Sequence, residues 1–349
     1  MLKPGEMFGD YRVVKRLGKG GMGEVWQLEI ESRHQLFAVK LLDPALVARD
    51  REFRRRFVRE AEIAMAIRHP NLVRVYDVGE DPQSGLCYIL MDYVGGGSLA
   101  DRLDRGGRLP VEDALDIVFQ LASVLEVARI DGVVHRDIKP DNIMFDSDGT
   151  PMLADLGIAR RQFDHGCTML TMTGFMLGTP GYMSPEQMLD SHEVDSRADI
   201  YSLGIVLYEM LTGTRPNADS TTLQLLQRAM QKASVDDIRK LSPELSEPVA
   251  ELVMRMCETD VEKRISTPGA VADAVMAIRE GRDPFAPMPK SRKTPHRRLW
   301  LILSVAAVLA ALVIAADFAA YWFFLREAPP SDEREEPEED DIFYIPSEV

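Results

Sequence analysis

Cysteine is scarce: Cys87, Cys167 and Cys257 are the only three in 349 residues. Their odd number and wide spacing exclude a disulfide framework and a paired-cysteine zinc site, and reduced thiols are expected. Basic charge is also in deficit. With 41 Lys and Arg against 56 Asp and Glu, the formal net charge is -15. That sign excludes nucleic acid as a partner, because phosphate binding needs a basic surface. No apolar run follows the first charges of the N-terminus (MLKPGEMFGDYRVVKRLGKG), so a cleaved signal peptide is not indicated. No internal repeat is found. What the chain does have is 46% hydrophobic residues, enough to supply a real core at this length.

Periodicity divides that hydrophobic content into two styles. Short β-branched and aromatic runs at 11–14, 25–30 and 37–42, separated by Gly or polar turns, predict antiparallel strands. From Asp43 to Arg68 the period changes to that of a helix, with Phe53, Phe57, Ala64 and Ile67 on one face and Glu60 on the same inward stripe. Two further strand-like runs, 72–78 and 86–93, precede Gly95-Gly96-Gly97, which is read as a lobe boundary. Beyond it the pattern is mainly helical. Val111 to Ile130 is amphipathic, Asp199 to Leu211 is apolar nearly all round as a buried helix would be, and 221–233, 246–257 and 268–280 complete a helical lobe.

The C-terminal fifth has a different character. Residues 299–316 are eighteen uninterrupted apolar or small residues, extended to 325 past the single charge of Asp317, and about 20 suffice to cross a bilayer. Lys290, Arg292, Lys293, Arg297 and Arg298 precede this run, with Tyr321 and Trp322 near its far end. The positive-inside rule then expects the preceding region in the cytoplasm and the tail outside a plasma membrane. Ala306, Ala307, Ala310 and Ala311 give the span small faces on which two copies could pack as a homodimer. The tail, 326–349, carries ten acidic and two basic side chains and reads as disordered, whereas 282–298 carries six basic and one acidic.

The chemistry-bearing residues lie before that. Gly18-Lys19-Gly20-Gly21-Met22-Gly23-Glu24-Val25 sits between two strands, where glycines let backbone approach phosphates, although a bare turn or a dinucleotide fold reads alike. Lys40 ends the next strand, seventeen residues past Gly23, and an ion pair with Glu60 would explain the inward carboxylate. In His135-Arg136-Asp137-Ile138-Lys139-Pro140-Asp141-Asn142, Asp137 and Asn142 can hold a hydroxyl and a metal ion in one small volume. Asp155-Leu156-Gly157 follows eighteen residues after Asp137 with a second carboxylate. Phosphoryl transfer needs a divalent metal, cations on the phosphates and a base that orients the attacking oxygen.

This ordered set, closed by Ser184-Pro185-Glu186, resembles the eukaryotic-type serine/threonine protein kinase family over about residues 11–280, and GGMGEV is similar to its bacterial membrane-anchored members. The resemblance implies a bilobal α+β fold, with an N-lobe over 11–94 after a lead at 1–10 and a C-lobe over 95–280. A juxtamembrane linker at 281–298, a transmembrane helix at 299–325 and the acidic tail would follow. It implies ATP beneath Leu17 to Val25, held by Lys40 with Glu60 positioning that lysine, and adenine at a hinge of Asp92 to Val94 behind a gatekeeper Met91. Asp137 would be the catalytic base and Lys139 would stabilise the transferring group, while Asn142 and Asp155 would hold magnesium, or manganese in its stead. Glu186 would pair with Arg264, and Asp199 would brace the loop. Lys139 and Thr179 in Gly178-Thr179-Pro180-Gly181-Tyr182 imply serine or threonine acceptors on protein substrates. Thr168, Thr171 and Thr173 are candidate autophosphorylation sites whose phosphate would pair with Arg136. Leu156 departs from the family's phenylalanine, and a catalytically silent ATP-binding scaffold is the alternative reading.

Overall fold

Strand alternation builds the first lobe. The computed structural model describes residues 2–20, 23–45, 51–156, 180–189 and 194–286, without the side chains of 51–57 and 60. Its main sheet comprises β1 (Met7–Phe8), β2 (Tyr11–Gly20), β3 (Gly23–Ile30), β4 (Gln35–Leu42), β5 (Val75–Glu80) and β6 (Cys87–Asp92). The strand order is β1-β2-β3-β4-β6-β5, and every neighbouring pair is antiparallel. In β4, Phe37, Val39 and Leu41 enter one apolar cluster while Ala38 and Leu42 enter another. Successive side chains alternate across a strand, so Lys40 falls on the face of Ala38 and Leu42. In β6 the same parity sends Cys87, Ile89 and Met91 to that inner face and Leu90 to the outer one. The segment before Tyr11 also contributes to the sheet: β1 pairs with β2, and Phe8 joins the outer cluster.

One helix of this lobe, α1 (Arg51–Ala66), lies against β5. The second lobe is built on α2 (Leu99–Gly106), α3 (Val111–Ile130), α4 (Pro185–Leu189), α5 (Ser196–Thr212), α6 (Thr222–Met230), α7 (Glu247–Met256) and α8 (Pro268–Arg279), with a small hairpin of β7 (Ile143–Phe145) and β8 (Pro151–Leu153). Helix starts are set locally: Ser98 and Asp101 form a capping box on α2, Thr221 and Gln224 another on α6, and Asp195 caps α5. Helix α5 is buried nearly all round, from Ala198 through Leu211, and its Leu203, Val206 and Leu207 centre the largest core cluster. The three-glycine boundary has a close-packing reason as well. A Cβ at Gly96 would stand 2.4 Å from the Phe145 carbonyl oxygen, and the Gly96 N–H donates to that oxygen at 2.8 Å. The connection between lobes is thereby pinned to β7.

No helix among the described residues is long and apolar enough to cross a membrane. The apolar run at 299–325, the linker beyond 286 and the acidic tail lie outside the described residues.

Candidate active site

The glycine segment lies where two paired strands meet, on the lobe that carries Lys40. Strands β2 and β3 pair with Lys19 opposite Glu24 and Gly20 opposite Gly23. Gly23 has φ +147, and a Cβ there would lie 1.8 Å from the Leu41 carbonyl oxygen, so only glycine fits. Glu24 is buried on the outer face beside Trp26; it accepts from Trp26 Nε1 at 3.2 Å and pairs with Arg16 at 3.4 Å and Lys19 at 3.6 Å. Leu17 stays exposed. Val25, Ala38, Met91, Val94, Met152 and Ala154 belong to one apolar cluster drawn from both lobes. At its edge Asp92 is fixed by the Tyr76 hydroxyl, which donates to Oδ1 at 2.7 Å, and by its own N–H to the Arg74 carbonyl at 3.0 Å. An apolar cluster beside ordered backbone is the kind of surface that suits a planar heteroaromatic ring.

The loop from His135 to Asn142 is held from below by α5. Buried Asp199 accepts the backbone N–H groups of His135 and Arg136, each at 2.8 Å. Burial pushes its carboxyl above the ordinary range, while His135 and the two N–H donors oppose that push. These bonds hold Arg136 at φ +64, a left-handed conformation that non-glycine residues rarely take. His135 accepts from the Asp137 N–H at Nδ1 (3.2 Å) and meets the Ala154 carbonyl at Nε2 (3.0 Å), which places the ring proton on Nε2. Asn142 Nδ2 donates to the Asp137 carbonyl at 2.8 Å and to Asp137 Oδ2 at 3.1 Å. Lys139 Nζ stands 3.8 Å from that same Oδ2. The Ala154 N–H donates to the Asn142 carbonyl at 2.8 Å, which brings the next residue, Asp155, beside the loop.

Asp155 also has positive φ, +58, and its Oδ2 lies 2.8 Å from Lys40 Nζ. Burial would raise its carboxyl, but the Lys40 ammonium outweighs that, aided by His135 and Lys139, so the group is held below its usual value. Lys40 is therefore paired with Asp155; the side chain of Glu60, its expected partner, lies outside the described residues. Leu156 is buried in the main core, in one apolar cluster with Ala64 and Ile67 of the α1 region.

A third layer supports the far side of the loop. Gln187 Nε2 donates to the Arg136 carbonyl at 3.1 Å, while its Oε1 accepts from the Ser184 N–H at 3.1 Å. Tyr182 donates to Glu209 Oε2 at 2.6 Å; burial first, then this bond, raises the phenol. Arg264, whose side chain is 0% exposed, grips Glu186 with both ends of its guanidinium at 2.6 and 3.0 Å and bonds the carbonyls of Glu258 and Arg197. Removing one partner of a buried pair costs about 3–5 kcal/mol, because the other charge stays buried without compensation. Glu186→Ala is thus expected to lower the melting temperature by roughly 10 °C in a thermal scan, whereas breaking the exposed Lys240–Asp236 pair should leave it almost unchanged.

The sequence matches the family described as protein kinase domain over residues 11–276. The chain belongs to the protein kinase family. Serine/threonine-protein kinase PknA of Mycobacterium tuberculosis is 35% identical over 292 residues, covering 83% of this chain and 65% of the relative. PknB of Mycobacterium leprae is 35% identical over 289 residues, covering 82% and 46%. The chain thus spans 65% and 46% of the lengths of these relatives. A crystal structure of the Mycobacterium tuberculosis PknI kinase domain matches with a TM-score of 0.63 at 31% identity, covering 80% of this chain and 100% of that one. The two lobes described above are the bilobal protein kinase fold.

Of the kinase motif residues, Lys40, Asp137, Lys139, Asn142 and Asp155 are brought to one place by the contacts above, with Met91 and Val94 in the apolar cluster and Asp92 next to Met91 in β6. Gly21, Met22, Thr168, Thr171, Thr173 and Thr179 lie outside the described residues. Three kinase-site contributors escaped the sequence reading. Met152 and Ala154 pack from the second lobe against the apolar cluster of Ala38 and Met91, and Gln187 ties the Ser184-Pro185-Glu186 segment to the loop. Met152 and Ala154 flank Leu153 in alternation just before Asp155, and that parity was the available signal.

Proposed function

We propose that this protein transfers the γ-phosphoryl group of ATP to serine and threonine hydroxyls of other proteins. The observation that carries the reading is the convergence of Asp137, Asn142, Lys139, Asp155 and Lys40. Asp137 Oδ2, fixed by the Asn142 amide, is the acceptor that orients a substrate hydroxyl and takes its proton. Lys139 lies close enough to that oxygen to neutralise charge developing on the transferred group. Lys40, on the inner strand face, offers its ammonium to phosphate oxygens, and the apolar cluster beside it receives the base.

The donor set fits magnesium. Asp155 and Asn142 supply hard oxygens on adjacent backbone, as a metal that keeps phosphate and water ligands requires. Among the described residues no three His, Cys, Asp or Glu side chains cluster as an all-protein metal cage. When bound, magnesium supplies charge neutralisation at the phosphates.

Lys139 and Thr179 support serine and threonine as acceptors, and Thr168, Thr171 and Thr173 are sites for autophosphorylation. The apolar run at 299–325, with basic residues before it, supports a single-pass anchor in the plasma membrane that leaves the kinase domain cytoplasmic. Peptide mapping after incubation with Mg·ATP tests the first point: phosphate on these threonines is expected, and an unmodified segment in a chain that phosphorylates a substrate protein rejects autophosphorylation there. Extraction of membranes at alkaline pH tests the second, the chain being expected to stay with the lipid fraction.

A further inference from the structure

Asn71 stands in the loop between α1 and β5, where that loop is bonded to β8. Its carbonyl accepts the Leu153 N–H at 2.8 Å, and its side-chain amide donates to the Pro151 carbonyl at 2.9 Å. Asn71 therefore grips β8 at both ends, immediately before Asp155. The same amide donates at 2.6 Å to Oε1 of Gln120 on α3, and Gln120 Nε2 donates at 2.6 Å to Oδ2 of Asp116, one turn earlier. Asp116 Oδ1 then accepts from Arg279 Nη2 on α8 at 3.1 Å. Only one orientation of the Gln120 amide satisfies both neighbours. The chain of bonds is polarised toward the Asp116 carboxylate, and each bond strengthens the next.

We propose that Asn71, Gln120, Asp116 and Arg279 are a positioning relay that holds β8, and through it Asp155, in register with the loop bearing Asp137. The proposal rests on the role of Asp155 given above. Two features favour it over simple packing. Asn71 directs its side-chain N–H donors to both β8 and Gln120, and β8 carries only three residues, too few to hold their own register without an outside grip. The relay also ends on the last residue of α8, from which the chain continues into the basic segment before the apolar run. A displacement of α8 therefore has a bonded route to the metal-binding carboxylate.

The test compares Asn71→Ser, Gln120→Leu and Arg279→Gln in the full chain, with Arg279→Lys as conservative variant and Lys240→Gln as a control. Two readouts are taken: the dependence of kcat and KM for ATP on free magnesium, and hydrogen exchange at residues 151–155. The relay predicts lower kcat with a raised magnesium activation constant and nearly constant KM for ATP. The effect should fall outward, from about tenfold at Asn71 to two- or threefold at half-exposed Arg279, with recovery in Arg279→Lys. Exchange at 151–155 should quicken in Arg279→Gln and not in Lys240→Gln. Unchanged exchange at 151–155 in Arg279→Gln overturns the relay, as does an equal fall in kcat across all magnesium concentrations. If the wild-type chain itself transfers no phosphate, the kinase reading fails, and exchange alone still decides the relay.

Discussion

Asp137→Asn is expected to lower the rate of phosphoryl transfer by about 10²- to 10⁴-fold, the usual contribution of a positioned general base. The isosteric amide can still face Asn142 Nδ2 with its oxygen, and the backbone bonds from Asp199 to His135 and Arg136 do not involve the altered group. Fold and nucleotide affinity should therefore be retained. Initial rates of ADP release with saturating substrate protein, set beside a thermal melt and a nucleotide titration, separate the two quantities. A matching loss of nucleotide binding would place Asp137 in ground-state recognition instead.

Lys40→Met is expected to abolish transfer to within background and, unlike the previous variant, to weaken nucleotide binding as well. Its second consequence concerns Asp155. With the ammonium 2.8 Å away, the Asp155 carboxyl lies below its ordinary value despite burial. A depressed carboxyl contributes stability that is fully present above its unfolded pKa, about 3.9, and is lost as pH falls through the folded value. Without Lys40, burial is opposed only by the smaller contributions of His135 and Lys139 and the carboxyl rises, so ionised Asp155 loses that stabilisation at neutral pH. The melting temperatures of wild type and variant should thus differ most at neutral pH and converge below about pH 4. A difference that is constant with pH would mean that Lys40 does not hold Asp155 ionised.

The parts of this fold that obey a short period were legible in the sequence. The β4 alternation of Phe37, Val39 and Leu41 against Ala38 and Leu42 put Lys40 on the inner face, and the apolar run in α5 marked the helix on which the second lobe is built. Strands of two or three residues were not legible: β1, β7 and β8 are too short for alternation to register, and they form because neighbours offer them partners. Contacts across long separations were a second limit. Glu186 and Arg264, 78 residues apart, could be paired only through the family resemblance, and the contact of Lys40 with Asp155, made among the described residues, is one that spacing alone did not suggest. The Asn71 relay lies in the same class, since its members come from a loop and two helices and share no motif.

The measurement to make first is transfer of label from γ-radiolabelled ATP, with magnesium, to a generic basic protein by the full chain, alongside Asp137→Asn and Lys40→Met. Label on serine or threonine that disappears in both variants is the predicted result. No label with nucleotide still bound, or label that survives in both variants, would contradict assignment of phosphoryl transfer to this site.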